Sequence, residues 1–84
     1  MVNLIYLARL RESLGRGSEQ IELPPTVRDV GALRAWLRSR GGAWAVELAD
    51  AKPVRAAVNQ EMAHGDTPLA DGDEIAFFPP VTGG

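Results

Sequence analysis

The sequence predicts an α+β domain in which a mixed sheet of four to five strands packs on one helix. Three observations lead there. Residues 2–9 and 19–23 are strand-like stretches separated by too few residues for a helical crossover, so they pair as an antiparallel hairpin. A single later segment repeats apolar residues at helical steps, with Val27, Val30, Leu33, Trp36 and Leu37 on one face. Two more strand-like runs, 54–58 and 74–78, lie in the C-terminal third. At 84 residues with 45% apolar composition, the chain supports one small core and no second domain.

The elements follow in order. Residues 2–9 are rich in branched and aromatic side chains, and Ser13, Gly15 and Gly17 then break the chain. In 19–23, Ile21 and Leu23 alternate against Gln20 and Glu22 until Pro24-Pro25 ends pairing. Thr26 is an N-cap type, and Thr26 with Asp29 has the spacing of a capping box, Asp replacing the preferred Glu. Gly31 costs the helix about 1 kcal/mol relative to Ala, and Gly41-Gly42 stops it. Trp44, Val46 and Leu48 are expected to pack under the next connection. Asn59-Gln60 forms a turn, 61–63 a short return strand, and Asp71-Gly72 a second turn into the last strand. The order β-β-α-β-(β)-β is that of the β-grasp, or ubiquitin-like, arrangement, with the first and last strands parallel neighbours at the sheet centre. Residues 1–78 make this domain and 79–84 an extended tail.

Composition removes several function classes. There is no cysteine, which excludes disulfides, thiolate metal sites and cysteine nucleophiles. The formal charge is −2 with dispersed basic residues; Arg34, Arg38 and Arg40 read as a solvated helix face, and no nucleic-acid partner is expected. The N-terminal MVNLIYLARL lacks the features of a signal peptide and no stretch is long enough to span a bilayer, so a cytoplasmic location without membrane attachment is expected. Asp71, Asp73 and Glu74 fit a turn rather than a calcium loop. His64, the one histidine, has no companion ligands or nucleophile, so neither a metal nor a catalytic base is expected.

Strand alternation points to a surface. Val2, Leu4 and Tyr6 share one face of the first strand with Ile75 and Phe77 of the last, and one helix covers only that side. Ile5, Leu7, Ala76 and Phe78 are then left on the open side, a composition that fits a partner interface. Beyond Phe78, Pro79 and Pro80 end the pairing and stiffen the chain. Val81 and Thr82 favour extended backbone, and Gly83 and Gly84 fit a channel too narrow for a Cβ. The six residues of 79–84 reach roughly 20 Å when extended, enough to enter a pocket in another protein.

The whole chain resembles the small subunits of molybdopterin synthases, the sulfur carriers of molybdenum cofactor biosynthesis. The likeness is carried by Ala8-Arg9, Arg11-Glu12 and Leu14-Gly15, by Ala56-Ala57-Val58-Asn59-Gln60, and above all by PLADGDEIAFFPPVTGG over 68–84. The resemblance implies that a ubiquitin-activating-like adenylyltransferase consumes ATP to adenylate the Gly84 carboxylate. A sulfur donor then converts it to a thiocarboxylate, and the tail delivers sulfur to cyclic pyranopterin monophosphate in the large synthase subunit. It also implies a heterotetramer of two small and two large subunits. On this likeness the chain is the non-catalytic sulfur-donating subunit, binds no cofactor, and contacts its partners through Leu7, Met62 and Phe78. The same tail chemistry also suits a carrier for thiamine synthesis or tRNA thiolation, or a ubiquitin-like modifier joined to lysine. A plain interaction domain, using the Leu7 and Phe78 patch alone, is the remaining class.

Overall fold

The computed structural model describes residues 1–80. Five strands form one sheet: β1 (Val2–Tyr6), β2 (Ser18–Ile21), β3 (Arg55–Val58), β4 (Glu61–Ala63) and β5 (Glu74–Phe78), in the spatial order β2-β1-β5-β3-β4. β1 and β5 run parallel at the centre, with Leu4 opposite Ile75 and Tyr6 opposite Phe77. The β1–β2, β3–β4 and β3–β5 pairs are antiparallel. This is the expected α+β, β-grasp arrangement.

Among the described residues three helices, not one, accompany the sheet: α1 (Arg9–Leu14), α2 (Val30–Arg38) and α3 (Gly42–Glu47). The first strand therefore ends at Tyr6, short of the expected Arg9. Ala8 has φ 53° and ψ −130°, a conformation that bends the chain out of the sheet and that a Cβ disfavours. The six-residue α1 follows, burying Leu10. The main helix begins at Val30 rather than after Thr26, because Arg28–Val30 is tied to the 67–69 segment: the Leu69 N–H donates to Arg28 O and the Val30 N–H to Thr67 O. Asp29 becomes the N-cap, its carboxylate accepting from the Ala32 N–H at 2.7 Å. Gly31 also has a packing reason, since its N–H donates to Gly65 O at 2.8 Å and a Cβ there would lie 3.1 Å from that oxygen.

The core follows the strand alternation. Val2, Leu4, Tyr6, Ile21, Ala56, Ile75 and Phe77 are buried on one sheet face against Leu10, Leu33, Leu37 and Leu48. Leu48 is buried as expected, whereas Val46 of α3 is 57% exposed. Trp36 and Trp44 are half-buried at the edge of the core.

Of the three arginines expected to form a solvated face, Arg34 is instead used in packing, Arg38 makes an exposed ion pair and Arg40 lies along the edge of the core. Arg34 donates to the carbonyls of Leu48, Ala49 and Lys52 at 2.9, 2.5 and 2.9 Å. Arg38 pairs with Asp50 at 2.6 Å. Arg40 meets Glu19 through two hydrogen bonds of 2.8 and 3.1 Å, while its guanidinium lies over Trp44 at 4.5 Å and Trp36 at 5.1 Å.

Glu19 is the centre of this cluster. Its carboxylate accepts from the Tyr6 hydroxyl at 2.8 Å and lies 3.4 Å from Arg16, and Tyr6 in turn meets the edge of Trp44 with centroids 5.3 Å apart. Burial acts to raise the Glu19 pKa, but the hydrogen bonds from Arg40 and Tyr6 and the charges of Arg40 and Arg16 outweigh it, holding the carboxyl below its ordinary value. Burial, reinforced by Glu19, pushes the Tyr6 phenol far above its usual range, so it remains a donor. A depressed folded-state pKa means that Glu19 stabilises the fold fully above the ordinary carboxylate range and progressively less as pH falls through the lowered value. Glu19→Gln is expected to cost about 1–2 kcal/mol near neutral pH, allowing for water around the arginines. Urea midpoints measured from pH 7 down to pH 3 should converge for variant and wild type; a constant gap would separate the loss from ionisation.

Candidate functional site: the open sheet face and the base of the tail

The sheet face opposite the helices carries a continuous apolar strip. Register places Ile5 opposite Ala76, Ala76 opposite Ala57, and Ala57 opposite Met62, one row across four strands. At a strand spacing near 4.8 Å, that row is roughly 15 Å long. Phe78 and Arg55 form the adjacent cross-strand pair. Leu7 continues the line of β1 beyond Tyr6, its N–H donating to Phe77 O at 3.1 Å, which brings it beside Phe78.

Exposure is graded along this surface. Met62 is 62% and Leu7 43% exposed, while Ile5, Ala57, Ala76 and Phe78 are half-buried. Loops do not bury Leu7 and Met62, and two large apolar side chains flanking a half-buried row make an interface composition. Ile5, Leu7, Met62, Ala76 and Phe78 are thus brought to one side of the sheet. Ala57 and Arg55 complete the surface and were missed by the sequence reading. In the run Ala56-Ala57-Val58 every residue is apolar, so alternation there carries no face signal until the register is known.

The strip leads directly into the tail. Pro79 and Pro80 follow Phe78 and are half-buried. Arg9, Leu10, Glu47, Lys52, Val54 and Pro79 are among the residues lining a cleft of about 50 Å³ at this exit. Val81, Thr82, Gly83 and Gly84 lie outside the described residues. At the opposite end of β5, Asp73 uses both carboxylate oxygens on the turn, accepting from the Ala70 N–H at 2.8 Å and Asn59 Nδ2 at 3.0 Å. Asn59 Oδ1 accepts from the Glu74 N–H at 3.0 Å. Asp73 is therefore a structural member of a turn, as the spacing suggested. His64 is exposed, its N–H bound by the Thr67 hydroxyl.

The described residues present an apolar strip that leads into Pro79 and Pro80. Among known proteins, the ThiS family matches residues 4–84. The chain belongs to the ThiS family. This ThiS-family chain is 44% identical, over the full length of both proteins, to the molybdopterin synthase sulfur carrier subunit of Escherichia coli. A solved structure of a putative molybdopterin converting factor, subunit 1, from Pyrococcus furiosus superposes with a TM-score of 0.78 at 32% identity, covering 95% of this chain and 97% of that one. A protein–protein complex of subunits 1 and 2 of the molybdopterin-converting factor from Helicobacter pylori contains a chain matching at TM-score 0.65 and 25% identity, covering 99% and 97% of the two chains. Among the described residues no helix is long and apolar enough to cross a membrane.

Proposed function

We propose that this protein is a sulfur carrier, the small subunit of a molybdopterin synthase. The observation that carries the reading is the full-length identity of 44% to a relative of that name. The apolar strip from Met62 to Phe78, opening onto the tail, gives it a physical basis. The H. pylori complex of subunits 1 and 2 supports a large-subunit partner, for which this strip is the proposed docking surface.

The chemistry follows from what a glycine terminus offers. A carboxylate resists attack until one oxygen is converted to a leaving group. In the proposed sequence a Gly84 oxygen attacks the α-phosphorus of ATP on a ubiquitin-activating-like adenylyltransferase, and pyrophosphate departs. A sulfide-level sulfur from a donor then attacks the acyl carbon, the C–O bond to AMP breaks with its electron pair leaving on AMP, and the terminus becomes a thiocarboxylate. Inserted in the large subunit, the thiocarboxylate gives its sulfur to cyclic pyranopterin monophosphate, water replaces it on the acyl carbon to restore the Gly84 carboxylate, and two such transfers build the dithiolene. Glycines at the last two positions bring no Cβ to crowd the acyl carbon, Pro79 and Pro80 restrict the backbone where the tail leaves the sheet, and the domain itself supplies recognition. The chain binds no cofactor, ATP being used on the activating enzyme.

Intact mass spectrometry after incubation with ATP, a cognate activating enzyme and a sulfur source tests this. Exchange of a terminal oxygen for sulfur adds about 16 Da, and because methionine oxidation adds nearly the same mass, the gain must map to the C-terminal fragment and require ATP. An unmodified terminus, with the enzyme competent on another carrier, would overturn the reading. Conjugates to lysine without sulfur would favour a protein modifier instead.

A further inference from the structure

The two ends of β5 differ in the charged residues around them. At the tail end, Arg9 and Lys52 line the cleft against Pro79, and Arg55 stands opposite Phe78 on the open face. Arg9 is paired with Glu47 at 3.3 Å, whereas neither Lys52 nor Arg55 has an ion-pair partner among the described residues. The exit of the tail thus carries two cations without an ion-pair partner among the described residues beside the Arg9–Glu47 pair, on a chain whose formal net charge is −2. At the other end lie carboxylates: Glu74 and Asp73 at the start of β5, Glu61 opposite Val58, and Glu22 directly after Ile21, which pairs with Val2. β5, four residue steps from Glu74 to Phe78, separates the two groups by roughly 13 Å.

We propose that the domain is a charge dipole aligned with β5, and that Lys52 and Arg55 steer its tail-bearing end onto an acidic rim around the channel that admits the tail. The inference rests on the carrier reading and adds the partner's chemistry: carboxylates at the channel mouth beside an apolar patch. An apolar strip alone leaves a docked domain free to approach either way round, and only one orientation delivers the terminus. Cations at the exit favour that orientation before contact, while carboxylates at the far end are repelled by the same rim. The selectivity is thus expressed in the rate of association, with the apolar contact of Leu7 and Phe78 setting the rate of dissociation.

The test is stopped-flow association with the large synthase subunit of the same organism at about 20 and about 300 mM salt, which changes the screening length several-fold. Wild-type association is expected to slow as salt rises. The double variant Lys52→Glu/Arg55→Glu should associate at least about tenfold more slowly at low salt, speed up as salt rises, and dissociate at the wild-type rate. Lys52→Gln/Arg55→Gln should fall between them, and an unchanged circular dichroism spectrum excludes misfolding as the cause. Leu7→Ala should accelerate dissociation and keep the salt dependence of association. An association rate for the charge-reversed protein equal to wild type at both salt concentrations overturns the steering proposal while leaving the carrier reading intact. Absence of any complex with the folded wild-type chain would instead overturn the carrier reading itself.

Discussion

Deleting Gly84 is expected to abolish sulfur transfer and leave the stability of the domain unchanged. Every buried hydrophobic among the described residues lies between Val2 and Phe77, so the core has no stake in the last residue. The proposed chemistry has every stake in it. Removing one residue still leaves a glycine carboxylate, that of Gly83, but draws the reacting carbon back by about 3.5 Å. Misplacement of a reacting atom by 1 Å already costs on the order of 100-fold, so loss beyond that factor is expected. Two measurements decide it: the urea midpoint of the shortened protein, and the sulfur delivered per carrier in a reconstituted synthase. Full activity without Gly84 would mean that the Gly83 carboxylate serves equally well and that the reach of the tail does not limit the chemistry. A shifted midpoint would mean that the tail packs on the domain.

The strongly paired elements were legible because their chemistry is local. In β5 the residues alternate between core and open face, Asp71-Gly72 supplies the preceding turn with Gly72 at φ 90°, and Pro79 ends the ladder, so both bounds could be read directly. Asn59 and Gln60 likewise take positive φ, 50° and 69°, in the tight turn that fixes the β3–β4 register. The open-face assignment of Ile5, Leu7, Ala76 and Phe78 came from the same two-residue period.

The helices α1 and α3 were not legible, for a physical reason. Six-residue helices fall below the length at which intrinsic propensity sustains a helix, and tertiary contacts hold them instead. For α1 these contacts are Leu10 and Leu14 against the core. For α3 they are Trp44 against Tyr6 and the Arg34 bonds to the carbonyls that follow it. Gly41 and Gly42, read as a stop, are also the start of α3, with Gly41 as its N-cap at φ 79°. The arginines of α2 were misread for a related cause. A guanidinium on a helix looks solvated until the distant chain that supplies its acceptors is in place.

Arg34 carries that point to its largest expected effect on stability. Its side chain reaches from α2 to the chain that leaves α3, closing three carbonyls, Leu48, Ala49 and Lys52, around one guanidinium. Burial lowers the Arg34 pKa somewhat, Asp50 opposes the shift, and the group stays charged at any ordinary pH. Hydrogen bonds to a charged donor contribute more than neutral ones, but they do not add independently and this site is half-open to water. Arg34→Ala is therefore expected to cost about 2–3 kcal/mol in urea unfolding. Lysine should recover only part of the loss, because an ammonium lacks the planar fork that spans three acceptors. The segment released by the substitution includes Lys52 and Pro53, which border the tail exit. Hydrogen exchange of the Arg34→Ala protein should consequently quicken first over residues 48–54, while the β1–β5 centre keeps its protection. Uniform loss of protection across the sheet would show that the clasp stabilises the domain as a whole and has no special hold on the base of the tail.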